Sequence, residues 1–165
     1  NILQIHLFAY QTGATTDPST ITGVYLQIWD GPPNDPASSI VWGDLTTNRL
    51  LSSSWSGIFR ALDTTSGAVN RPIMRNVVEV DVTLQRGTYW LDWMTDGTLA
   101  SGPWAPPITI NGQTTTGNAL QYTASTGSWN PALDSGTLTQ QGMPFVVYGK
   151  FPWIIMNAPI TGGVR

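Results

Sequence analysis

Three observations predict an all-β protein, a two-sheet antiparallel β-sandwich of about nine or ten short strands. The stretch "VEVDVTL" alternates Val78, Val80, Val82 and Leu84 with Glu79, Asp81 and Thr83, the period of a strand with one buried face. No stretch holds a helical apolar period over three turns before Gly, Pro or a β-branched run interrupts it. Turn clusters such as "DGPPNDPASS" and "TASTGSWNPALDSGT" punctuate the chain throughout. Jelly-roll and immunoglobulin-like strand orders both fit this pattern.

The strands follow in order. Ile2–Tyr10 opens the chain, and "GVYLQIW" then sets Val24, Leu26 and Ile28 on one face against Tyr25, Gln27 and Trp29 on the other. Ser39–Trp42 and Gly57–Leu62 are shorter candidates, followed by "VEVDVTL". "TYWLDWM" alternates Tyr89, Leu91 and Trp93 with Trp90, Asp92 and Met94, so each face carries large aromatic rings. Pro107–Ile110, Ala119–Thr123 and Pro144–Gly149 complete the set. Residues 1–149 form one sandwich domain, and residues 150–165 a C-terminal apolar strand with a flexible exit. The sequence contains no internal repeat and no interior linker.

Composition narrows the function classes. At 165 residues, one domain can bury a substantial core without staples. Only 10% of residues are charged, against about 25% in ordinary domains, so Thr, Ser, Asn, Gln and Gly supply most of the polar surface, which suits an extracellular β-protein. Net charge is −3, and Lys150 and six scattered arginines form no basic stripe, which argues against nucleic acid as a partner. Cysteine is absent, removing disulfides, thiolate metal sites and a Cys nucleophile together. The apolar runs are shorter than the roughly 20 residues of a membrane helix, so no membrane insertion is expected. Beginning at Asn1, the chain reads as processed or excised from a longer precursor.

Long motifs carry a resemblance. "FAYQTG" (Phe8–Gly13), "TITGVYLQIWDGPP" (Thr20–Pro33) and "IVWGDLTTNRL" (Ile40–Leu50) are followed by "NRPIM", "GTYWLDW", "SGPWAPPITINGQTTTGNALQY" and "QQGMPFVVYG". Together, from about Ile2 to Gly149, they resemble an uncharacterised β-sandwich module of large secreted and surface proteins of Gram-negative bacteria, proteins that often carry a C-terminal sorting domain. The resemblance implies an extracellular or cell-surface location and supplies no catalytic residue. Members of that family carry a further strand-like segment before the position of Asn1, so a vacancy in the sandwich is expected here.

Candidate chemistry is sparse. His6, the one histidine, lies between Ile5 and Leu7 on the face shared with Gln4 and Phe8, where a structural role outweighs catalysis. No G-x-S-x-G elbow marks a nucleophilic serine. Glu79 and Asp81 share one strand face roughly 6–7 Å apart, but the polar half of an amphipathic strand explains them better. Asp92 and Asp96 carry the same low weight for catalysis. In "WDGPPNDP", Asp30, Asn34 and Asp35 offer hard oxygens to calcium, in a spacing that matches no loop motif and that a plain turn also explains. Of eight tryptophans, Trp29, Trp90 and Trp93 alternate within strands and are read as core or sheet-face residues, whereas Trp104 in "SGPWAPP" and Trp129 in "TGSWNP" are read as lying in Gly/Pro-rich loops, where capping the end of the core outweighs display. With Trp55 in "SSSWSG", these are the candidates for stacking on a sugar.

The closing "GKFPWIIMNAPITGGVR" sets Trp153 and Ile155 on one face and Ile154 and Met156 on the other, with Phe151 and Ile160 adding to the run. Apolar residues on both faces suit a strand covered from both sides, added either to a neighbouring subunit or back across its own sandwich. Burying three or four of them is worth roughly 5–10 kcal/mol before ordering costs. The expected function is a non-catalytic extracellular structural or adhesive module, a filament or fibre subunit joined by strand complementation, with self-association or packing within a larger surface protein. The alternative is a carbohydrate-binding module that uses loop tryptophans. An enzyme is the third reading and requires a convergent acidic cleft.

Overall fold

Strand pairing throughout the computed structural model, which describes residues 1–61 and 67–150, is antiparallel. The strands are β1 (Ile2–Ala9), β2 (Ile21–Trp29), β3 (Ile40–Asp44), β4 (Leu50–Phe59), β5 (Pro72–Val82), β6 (Trp90–Gly97), β7 (Leu120–Thr123), β8 (Ser128–Pro131) and β9 (Phe145–Gly149). They make a four-stranded sheet in the order β4-β5-β1-β9, a three-stranded sheet in the order β3-β2-β6, and the β7-β8 hairpin. Among the described residues there is no helix, so none is long and apolar enough to cross a membrane.

Alternation builds the core, with the valine face of "VEVDVTL" turned inward as its pattern predicts. Ile5, Leu7 and Ala9 of β1, Val24, Leu26 and Ile28 of β2, and Met74, Val78 and Val80 of β5 form one buried cluster. Trp42, Tyr89, Leu91 and Trp93 pack against its margin. The two larger sheets therefore share a single apolar interior, the principal source of stability in a chain with few charges.

Three polar devices fix the connections. Asp44 ends β3 and accepts the backbone amides of Thr46 at 2.8 Å and Thr47 at 2.6 Å, both threonine hydroxyls, and Arg49 Nη2 at 2.9 Å. The hydroxyls and amides of Thr46 and Thr47 hold the Asp44 carboxyl well below the usual range. The next residues reach across to β2, where Asn48 Oδ1 accepts the Val24 amide and Arg49 N donates to the Val24 carbonyl. The "GDLTTNRL" motif is thus the strap that carries the chain from one sheet to the other. Within the core, Asn76 is fully buried and accepts from Ser53 Oγ at 2.7 Å, which in turn meets Ser19 Oγ. Gln11 Nε2 donates to the Leu99 carbonyl at 2.8 Å, and a Cβ at Gly97 would collide with that amide.

Several boundaries differ from the sequence reading. The strand expected at Gly57–Leu62 is β4, which begins at Leu50; Leu62 itself lies outside the described residues. Its Ser52, Ser53 and Ser54 conceal the strand pattern because serine carries little β preference. Pro107–Ile110 forms no strand, since consecutive prolines at 106 and 107 remove two ladder donors. Conversely, β8 arises within a stretch read as turn. The apolar tail, with Phe151, Trp153, Ile154, Ile155, Met156 and Ile160, lies outside the described residues.

Candidate functional site

β9 is an edge strand that pairs with β1 alone among the described residues. Register assigns its two faces: Val147 and Phe145 oppose the core residues Ile5 and Leu7, whereas Tyr148 and Val146 oppose Gln4 and His6. All four remain open, Phe145 at 46%, Val146 at 41%, Val147 at 41% and Tyr148 at 49% of full exposure. Soluble proteins ordinarily guard such an edge with charge, proline or a bulge. No charge or proline lies within Phe145–Gly149, although Pro144 and Lys150 flank it and the β1-β9 register shifts between Ile2 and Gln4. The ladder extends one rung further, because Lys150 N donates to the Asn1 carbonyl at 2.9 Å and the Asn1 amino group to the Lys150 carbonyl at 3.0 Å. The paired strand therefore leads directly into the apolar tail.

His6 belongs to this edge. Its ring lies 4.4 Å from that of Tyr148, tilted by 41°, and the side chain is nearly buried. Burial and, secondarily, the Arg75 guanidinium hold its pKa below the ordinary value.

The outward face of the three-stranded sheet is a second concentration of chemistry. Trp29 opposes Trp90, Gln27 opposes Asp92 and Tyr25 opposes Met94. Gln27 Nε2 and Trp29 Nε1 both donate to Asp92 Oδ2, at 2.6 and 3.2 Å, and Tyr25 Oη donates to Asp96 Oδ2 at 2.9 Å. Burial pushes the Asp92 carboxyl up, against the opposing pull of those two donors. Sequence reading weighs Asp92 and Asp96 as catalytic candidates of low weight and Trp29 and Trp90 as strand aromatics, but does not bring the two strands together; alternation within each strand is the available signal.

The two titrating groups act oppositely on stability. A raised carboxyl contributes in acid, and its contribution is lost as pH rises through the folded value; a lowered imidazole contributes at high pH and loses it as pH falls below about 6.5. Asp92→Asn should therefore melt above wild type near neutrality, with the advantage shrinking toward acid. The advantage of His6→Gln should grow as pH falls. Thermal melts between pH 4 and 8 check both trends, and parallel curves for wild type and variants would remove these groups from the account.

The remaining candidates are dispersed. Trp55 lies on β4, donates Nε1 to the Ile58 carbonyl at 3.1 Å and packs 5.1 Å from Phe59. Trp104 is 51% exposed and bridges Tyr10 through its backbone. Trp129 is on strand β8 rather than in a loop, 5.2 Å from Tyr122. It also lines an open cleft of about 380 Å³ with Asn34 and Asp35. Asp35 Oδ1 accepts the Ala37 amide and Asp30 Oδ1 the Ser39 amide, the contacts of a turn. Among the described residues no three acidic or histidine side chains converge on a metal position. Glu79 and Asp81 are both exposed on β5. A larger open cleft of about 790 Å³ runs between the end of β4 and the segments around Ile108 and Gln141, with Phe8 and Ile73 in its wall and Arg60 and Asp134 among its polar residues. Comparison with protein-family models, curated proteins and solved structures gives no match.

Proposed function

We propose that the chain is a non-catalytic structural and adhesive module of the extracellular surface, built as an antiparallel β-sandwich and joined to its neighbours by strand addition. The observation that carries this reading is β9, an edge among the described residues with no charge or proline within it and four consecutive apolar side chains open on both faces. Residues 151–160 of a second copy are the occupant. Their sequence alternates apolar side chains on both faces, as a strand covered from both sides requires. Pro152 and Pro159 limit how far that segment can pair.

Strand addition supplies affinity through backbone hydrogen bonds and register through alternate side-chain pockets. Repeated head to tail, the contact does not close and builds a fibre. The low charge content and polar surface support the extracellular part, together with the resemblance to a surface-protein module. The packing of His6 on Tyr148 supports the non-catalytic part, since it occupies the one imidazole of the chain.

Negative-stain electron microscopy of the purified full chain, paired with light scattering, tests the proposal. Filaments or particles several times heavier than 17.9 kDa are expected. Monodisperse globules of that mass at high concentration contradict it.

A further inference from the structure

The outward face of the β3-β2-β6 sheet displays hydrogen-bond acceptors between aromatic walls. On this face Asp92 Oδ2 already takes two donors and Asp96 Oδ2 takes one. Asp92 Oδ1, Gln27 Oε1 and Asp96 Oδ1 accept nothing from the described residues, yet none is among the buried atoms lacking a partner. Asp96 is exposed and Asp92 half-buried, so their free oxygens can receive donors from solvent, whereas Gln27 is buried and serves to orient Asp92.

Gly43 of β3 opposes Gln27 at a φ of +81°, and a Cβ there would strike the Leu26 carbonyl. No side chain therefore rises from β3 over the Gln27–Asp92 rung. Trp29 and Trp90 bound the rung on one side, and Tyr25 and Met94 on the other. Four residues of strand set these boundaries about 13 Å apart. β2, β3 and β6 contain no Lys, Arg or His.

We infer that this face binds a neutral polysaccharide laid along β2 and β6, with sugar hydroxyls donating to Asp92 Oδ1 and Asp96 Oδ1, and ring faces resting on Trp29 and Trp90. A pyranose offers both chemistries at once, a rim of hydroxyl donors and an apolar C–H face. The two carboxylates disfavour acidic glycans. A guanidinium cannot grip Asp92 with two parallel bonds, because Oδ2 is saturated, and a single ammonium would leave most of the length unused. The site lies on the sheet that does not contain β9, so it is independent of strand addition.

Affinity electrophoresis of the full chain through gels containing soluble β-glucan, xylan, glucomannan or dextran tests the inference. At least one polysaccharide should retard wild type. Trp90→Ala and Met94→Ala should each weaken retardation, Trp90→Ala by tenfold or more, equivalent to about 1.4 kcal/mol. Asp92→Asn keeps an oxygen for Gln27 and Trp29 but turns the free acceptor into a donor, so it should lose binding while its thermal melt stays at or above that of wild type. Trp104→Ala should bind as wild type does. The inference is overturned if none of the four polysaccharides retards the chain. It is equally overturned if Trp104→Ala or Trp129→Ala abolishes retardation while Asp92→Asn and Met94→Ala preserve it.

Discussion

Val147→Lys should reduce the self-association of this chain to the monomer level at concentrations where wild type assembles. Val147 lies in the middle of β9 and opposes the core residue Ile5, so a strand added at this edge must cover it. A lysine in that position would have to surrender water to an incoming apolar segment or exclude the segment altogether, which is how natural edge strands prevent pairing. The monomer itself should tolerate the change, since Val147 is substantially exposed and surface substitutions usually stay within about 0.5 kcal/mol. Light scattering together with a urea titration separates the two effects. Loss of assembly with an unchanged midpoint is expected, and unchanged assembly would mean that the contact lies elsewhere.

Leu26→Ala should lower the unfolding free energy by about 2–5 kcal/mol, the range for deleting a fully buried leucine. Leu26 has no exposed surface, and its strand carries the interior of the three-stranded sheet toward β1 and β5. Against a total of roughly 5–15 kcal/mol, that is enough to leave a fraction of the chain unfolded at body temperature. Leu51→Ala on β4 is the matched control, being more than half exposed, and should change stability by less than about 0.5 kcal/mol. Urea titrations at constant slope measure both. Equal shifts in the two variants would contradict the assignment of the core.

What could be read from the sequence depended on how strictly a strand alternates. Val78 and Val80 were assigned inward by period alone and are buried; Val24, Leu26 and Ile28 were placed on one face without its direction, and that face is the buried one, because each of those strands has one face in the core. β4 was misplaced because its serines carry no such contrast, and β8 was missed because Ser128, Asn130 and Pro131 are turn-forming types that surround the lone strand former Trp129 and pair only against β7. The outward-facing residues of β2 and β6 were legible strand by strand. That Gln27 meets Asp92 is a matter of register between strands more than 60 residues apart, set by tertiary packing that no local pattern encodes. The exposure of β9 is likewise a property of sheet order: "FVVY" reads as a strand, but only the order β4-β5-β1-β9 makes it an edge.

Hydrogen exchange of the full chain, read by mass spectrometry at low and high protein concentration, tests the assembly most directly. If a second copy adds its strand to β9, the amides of Phe145–Gly149 exchange slowly in the concentrated sample and faster on dilution, while those of the central strands β1 and β5 do not change. Exchange of Phe145–Gly149 that is the same at every concentration would contradict strand addition between copies.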